Sequence, residues 1–289
     1  MDWISGIQKS LDYIENHITE ELNYEAIAKE AACSNFYFQR IFSILCGISI
    51  GEYIRCRRLT LAGNELCKTN KKVIDIAFEY GYESPESFSR AFLKFHGVTP
   101  SEAKKDGSKL KSFSPLSVQI ILRGGSIMDY KIVDKPAFTV LEKVEHHSVD
   151  DSQNKNSIPD FWTRSHKDGT VKTLLELADD KTYIFGICYN TPKDNKYFEY
   201  SIAAVYTNRK IIPKGFRINE IPARTWAVFE TTGAMPNAIQ DLFHKILSEF
   251  FPTSAYQPTY EMDIEAYTAG NMSSPCYKSE IWIPVIKTK

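Results

Sequence analysis

Arg40 and Arg90 stand fifty residues apart in two segments that repeat each other. SNFYFQRIFSILCGIS at 34–49 and SPESFSRAFLKFHGVT at 84–99 share Ser, Phe, Arg, Phe, Gly and Ser/Thr at matching places. A guanidinium fork pairs with guanine edges, and a glutamine amide with adenine, so Arg and Gln early on a helix suit readout of the DNA major groove. Phe38 with Phe42, and Phe88 with Phe92, are four apart and should share a buried helical face. Arg40 and Arg90 then project from the other side. The predicted DNA contacts are Ser34, Asn35, Phe36, Gln39 and Arg40 in one segment, and Glu86, Ser87, Ser89, Arg90 and Lys94 in the other.

A second chemistry is suggested near the end of the chain, where carboxylates alternate with aromatics. In extended backbone Glu265 shares a face with Tyr267, and Glu280 with Trp282, while Ile281 and Ile283 point the other way. A carboxylate in an apolar strand is costly without a partner, and a cationic ligand could be that partner. An edge glutamate in water, with Trp282 as plain core, is the competing reading. Enzymatic signatures are missing: the chain has no G-x-S-x-G, H-E-x-x-H, phosphate-loop or dinucleotide-loop motif. His146 and His147 are adjacent, so in a strand they face opposite ways and cannot chelate one metal together. No cofactor and no metal site is expected.

The elements that must hold the arginines read as helix, tight turn, helix. Residues 23–32 place Ile27, Ala28 and Ala31 on one helical face, and Ser34 can cap the next helix. In the second copy Ser84 is the cap, and Pro85 takes the first helical position. Small residues, Ala32 and Gly81, precede both turns. Residues 51–70 predict one linking helix, made basic by Arg55, Arg57 and Arg58. Lys104, Lys105, Lys109 and Lys111 are candidate phosphate contacts. Two readers held at a fixed separation could enter successive major grooves, ~34 Å apart, so a single chain could bind double-stranded DNA as a monomer.

Past residue 111 the pattern changes from helical spacing to period two. A DNA-binding domain at 1–110, a linker at 111–126 and a second domain at 127–289 are expected. Strands are predicted at 128–133, 137–146, 182–189, 200–207, 223–231, 261–267 and 278–286, and helices at 157–166, 171–178 and 236–250. Strand, helix, strand, strand occurs twice in that order, which predicts two similar α+β units on a mostly antiparallel sheet, with a groove between them for a small molecule.

Composition agrees with this division. The net charge of −1 hides a basic segment, since residues 31–111 carry thirteen Lys/Arg against eight Asp/Glu, whereas 124–289 carry nineteen against twenty-one. Phosphate binding therefore belongs to the first part. No apolar run is long enough to cross a bilayer, so no membrane partner and a cytoplasmic location are expected. The six cysteines form no C-x-x-C pair and read as reduced, mostly buried thiols.

The paired units, the linking helix and the ending FHGVTPSEAK resemble the DNA-binding domain of the AraC family over about residues 5–106. That resemblance implies base-edge contacts at Phe36, Gln39, Arg40, Glu86, Ser87 and Arg90. Residues 221–284 resemble the gyrase-inhibitor-like ligand-binding domain, and the combination is similar to Rob-like regulators. By motif position the resemblance implies an effector-binding Glu280 with Trp282, Tyr267, Glu265, Trp226 and Trp162 around it, for lipophilic and often cationic compounds. It implies a transcription regulator, an activator more than a repressor, with RNA polymerase as a partner. A protein-interaction module or a small hydrolase of bound electrophiles in the second half is the alternative.

Overall fold

The computed structural model describes residues 3–105, 107–118, 127–148, 157–190, 197–207 and 212–288. It divides into two compact units, one of residues 1–35 with 46–121 and the other of residues 36–45 with 122–289. No described helix is long and apolar enough to cross a membrane.

The first unit is helical: α1 (Trp3–Asn16), α2 (Tyr24–Glu30), α4 (Ile50–Lys68), α5 (Val73–Glu79), α6 (Pro85–His96) and α7 (Pro100–Ala103). Local chemistry sets the ends. The side chains of Asn23 and Ser49 accept from the backbone N–H of Glu25 and Glu52. Ser84 caps α6 ahead of Pro85, and the helix stops at Gly97, whose φ of 82° is left-handed. Leu59, Leu66, Ile76, Tyr80, Phe88, Phe92 and Ala103 form the core around α4, α5 and α6. His96 is buried there, with Nε2 2.9 Å from the Leu59 carbonyl and Nδ1 accepting from Lys111 N–H. Burial lowers its pKa.

The structure adds two features to what the sequence shows of this unit. The arginines of α4 are largely structural: Arg57 is buried against the Glu15 carboxylate, and Arg58 donates to the carbonyls of Ile18 and Glu20. Arg58 thereby supplies donors to carbonyls just beyond the end of α1. The small residues of the turns serve backbone conformation as well as close packing. Ala32 has φ 54° and Gly81 φ 76°, so both turns require the left-handed region. The backbone of Phe113, Leu116 and Val118 is hydrogen-bonded to Thr60, Tyr53 and Gln8, which ties the start of the expected linker to this unit.

The second unit contains a nine-stranded antiparallel sheet: β1 (Tyr130–Lys135), β2 (Phe138–Ser148), β3 (Tyr183–Tyr189), β4 (Tyr197–Val205), β5 (Arg217–Ile221), β6 (Arg224–Thr232), β7 (Tyr256–Pro258), β8 (Met262–Thr268) and β9 (Lys278–Lys287). The order is β1-β6-β9-β8-β3-β4-β2-β5, with β7 pairing β9. The expected duplication is visible in it, since β2-β4-β3 mirrors β6-β9-β8 and the halves join where β3 pairs β8. The strands β5 and β7 escaped the sequence reading because each is short. Helices α8 (Ser157–Lys167) and α9 (Thr170–Leu177) follow β2, and α10 (Asn237–Lys245) follows β6. The predicted helix at 236–250 relaxes into a π turn at Ile246–Phe250 before a last helical turn, α11 (Phe251–Thr253).

Helix α3 (Asn35–Cys46) lies, from Phe36 to Leu45, within the second unit. All six cysteines are free thiols, and Cys67 and Cys276 are exposed, not buried as expected.

Candidate functional site

Strand register decides which of the expected effector-site residues can meet. Glu265 pairs with Ile281, and Ala266 with Glu280, across β8 and β9. Paired residues share a face and neighbours along a strand alternate, so Glu265 and Glu280 point to opposite sides of the sheet. Trp226 pairs with Pro284 and so sides with Glu280 and Trp282. The six expected ligand residues are thereby split into two groups. Glu280, Trp226 and Trp282 lie on the inner face of the curled sheet; Glu265, Tyr267 and Trp162 gather on the face that carries the helices.

The inner group is built as core. Trp226 and Trp282 belong to an apolar cluster with Val140, Phe185, Ile187, Ile264 and others. The buried Glu280 carboxylate accepts from Trp282 Nε1 at 2.7 Å and pairs with Lys131 at 3.2 Å. Both of its oxygens are engaged.

The helix-face group is less complete. One oxygen of Glu265, Oε2, accepts from Tyr267 at 2.9 Å and from Tyr200 at 3.0 Å. Trp162 Nε1 in turn donates to the Tyr200 oxygen at 2.9 Å, and its ring meets Tyr267 edge-on at 5.2 Å. Glu265 Oε1 has no hydrogen-bond partner among the described residues. The carboxylate is only partly exposed, and burial pushes its pKa up, opposed by the charge of Arg40. Burial and the neighbouring Glu265 hold the hydroxyls of Tyr200 and Tyr267 well above the ordinary tyrosine range, so both remain donors. This site is a carboxylate ringed by aromatics with an oxygen to spare, a suitable anchor for a cation.

Gly186 makes this arrangement possible. It pairs with Glu265 across β3 and β8, and a Cβ on it would lie 2.0 Å from the Tyr200 hydroxyl. The phenol can reach Glu265 only because the strand has no side chain there. Sequence reasoning overlooked Gly186, Tyr200 and Asp263. A glycine inside YIFGICY, and Asp263 two residues before Glu265, were the available signals. Asp263 is buried on the same face, where its Oδ2 accepts from Asn190 at 3.0 Å.

The two expected DNA-reading helices differ. On α6, Glu86, Arg90 and Lys94 are exposed at four-residue intervals and form one open stripe, while Ser87 and Ser89 are partly covered. The Ser87 hydroxyl is turned back to the Ser84 carbonyl at 2.8 Å. On α3, by contrast, Phe36, Tyr37, Phe38 and Gln39 are all buried. The expected outward projection of Phe36, Gln39 and Arg40 is corrected. The Phe36 ring stacks on Phe198 at 4.0 Å, Tyr37 meets Tyr260 at 4.8 Å, and the Arg40 guanidinium pairs with Asp263 and lies 4.7 Å from the Phe243 ring centre. Burial works against the charge on Arg40, but Asp263 and Glu265 hold it protonated. Ser34 and Asn35, just before these contacts, are partly covered.

His147 is buried with Nδ1 2.9 Å from Ser157, and His146 faces Glu199, as alternation requires. Among the described residues no group of His, Cys, Asp and Glu could hold a metal ion.

Comparison with known proteins assigns both units a class. Residues 27–106 match the helix-turn-helix domain, and residues 131–285 match the integron-associated effector binding protein. Regulatory protein SoxS of Salmonella typhimurium is 42% identical over 96 residues, 33% of this chain and 90% of SoxS. The transcriptional activator AarP of Providencia stuartii is 39% identical over 97 residues, 34% of this chain and 72% of AarP. The structure of SAV2435 bound to tetraphenylphosphonium superposes with a TM-score of 0.50 at 26% identity, over 55% of this chain and 94% of that one. These similarities define a DNA-binding transcription regulator with an AraC-type helix-turn-helix domain followed by an effector-binding domain. The chain belongs to the integron-associated effector binding protein family.

Proposed function

We propose that the effector is a lipophilic cation and that Glu265 is its anchor. The observation that carries this reading is the Glu265 carboxylate: one oxygen held by two tyrosines, the other without a hydrogen-bond partner among the described residues, with Trp162 beside it. The resemblance to SAV2435 bound to tetraphenylphosphonium supports the same ligand class. Glu280 is a core carboxylate in this reading, because both of its oxygens are committed on the opposite face. Calorimetric titration with tetraphenylphosphonium tests it. Glu265→Gln should weaken binding by at least about tenfold, the effect of losing one charge-assisted contact, while Glu280→Gln should leave affinity nearly unchanged. Equal losses in both variants would overturn the assignment.

On the DNA side, the exposed stripe of Glu86, Arg90 and Lys94 on α6 supports reading of one major groove, and α3, with Ser34, Asn35, Phe36, Gln39 and Arg40, is the reader of the next once it is freed from Phe198, Tyr260 and Asp263. Residues 1–110 would then act as the DNA-binding domain and 127–289 as the sensor, joined by 111–126. The similarity to an activator supports activation with RNA polymerase as partner. The protein acts in the cytoplasm, reads DNA as a monomer and binds its effector without catalysis.

A further inference from the structure

Arg40 is the residue of α3 that the repeat aligns with Arg90, yet it lies beside the effector site. Its partner Asp263 is two residues from Glu265 on β8 and points to the same face. Phe36, one turn earlier, covers Phe198 on β4, two residues from the Tyr200 that hydrogen-bonds Glu265. The guanidinium is thus placed over an aromatic ring and beside a carboxylate, the surroundings that a lipophilic cation would seek. The attachment is incomplete. A guanidinium fork can engage both oxygens of a carboxylate, but here one nitrogen, Nη1, meets one oxygen, Oδ2, and the buried Asp263 Oδ1 has no hydrogen-bond partner among the described residues.

We infer that α3 is a tethered occupant of the effector site: Arg40 supplies the cation in the resting protein, and an effector cation takes its place and releases α3 to DNA. This rests on the reading of Glu265 as the effector anchor. Two cations cannot share so small and poorly solvated a region without strong repulsion. Binding of one therefore opposes binding of the other. Because Arg40 is also a candidate base contact, effector and DNA are linked: each raises affinity for the other by the same factor. Among the described residues, the groups facing Arg40 are Asp263 and Glu265 on β8, Cys188 on β3 and Phe243 on α10.

Two measurements on the full chain test this. In calorimetric titrations with tetraphenylphosphonium, Arg40→Ala should bind the probe about tenfold more tightly than wild type, within the usual range of coupling between sites. Lys172→Ala, which removes an exposed cation on α9, should change nothing. In hydrogen exchange, peptides covering residues 36–45 should lose protection in Arg40→Ala and in Asp263→Asn without ligand, and in wild type on saturation with the probe. Binding that depends on Glu265 but is unaltered or weakened in Arg40→Ala overturns the inference and leaves the effector reading standing. Failure of wild type and Arg40→Ala alike to bind the probe overturns both. Unchanged exchange in Asp263→Asn and Arg40→Ala removes the tethered occupant whatever the probe does.

Discussion

Helices α3 and α6 are copies of one motif in opposite surroundings. Glu86, Ser87 and Arg90 face solvent or its margin, whereas the matching Phe36, Tyr37 and Arg40 pack against Phe198, Tyr260 and Asp263. A repeat therefore specifies backbone and core, not exposure. What separates the copies is side-chain character: aromatics at two early positions of α3 stand where α6 has a carboxylate and a hydroxyl. Aromatics at these positions widen the apolar face of α3, and a wider apolar face calls for a second surface to cover it.

The largest effect should come from giving α3 the residue that α6 carries. Phe36→Glu would set an unpaired carboxylate against the Phe198 ring, a burial that costs several kcal/mol. Residues 36–45 should then exchange their amide hydrogens as freely as an exposed helix does. Retained protection in that variant would break the contrast between the helices.

Next in size is the contribution of each arginine to specific DNA affinity. Arg90→Ala should weaken it by ~1–3 kcal/mol with or without tetraphenylphosphonium. Arg40→Ala should approach that loss only with the cation present, because without it Arg40 is held at Asp263. Equal, ligand-independent losses in a binding titration would show that the two helices are equally free.

A pH series sharpens the comparison from the site's side. Glu265 is neutralised more readily than an ordinary carboxyl because it is buried. Its contribution to stability is present below the usual carboxylate value and declines as pH rises through its raised pKa. Cation binding has the opposite sign, since only the carboxylate attracts the ligand. Affinity for tetraphenylphosphonium should climb by up to about tenfold per unit of pH across that window, and the dependence should flatten in Glu265→Gln.

The smallest effects concern the turns. Ala32→Gly should raise stability by ~1 kcal/mol, because an alanine held at positive φ is strained where glycine is not. Gly81→Ala should lower it by more, since its Cβ would also lie 2.6 Å from Arg58 Nη1. Thermal melts of the two variants should move in opposite directions.

Much of the architecture was legible because it is local. The cap at Ser84 followed by Pro85, and the strand-forming runs at residues 183–189 and 262–268, each state their structure over a few residues. The pairing that parts Glu265 from Glu280 was not legible, since it depends on how β8 meets β9, a one-residue matter of register that flips a side chain to the other face. Arg57 gave no sign of its burial either, for Glu15 lies forty-two residues away. The covering of α3 left a trace in Phe36 and Tyr37, which resemblance to other reading helices obscured.

The seam between the two half-sheets bears on stoichiometry. The shift of 79 residues that carries β3 onto β8 also carries Gly186 onto Glu265, and these two are paired with each other. The local axis relating the halves thus runs through this pair, where a symmetric ancestor would place two identical residues in contact. Two carboxylates there would repel, and two glycines would leave nothing to bind a cation. Having one of each breaks the symmetry at its centre, so the doubled fold places a single carboxylate on its local axis and should saturate at one effector per chain.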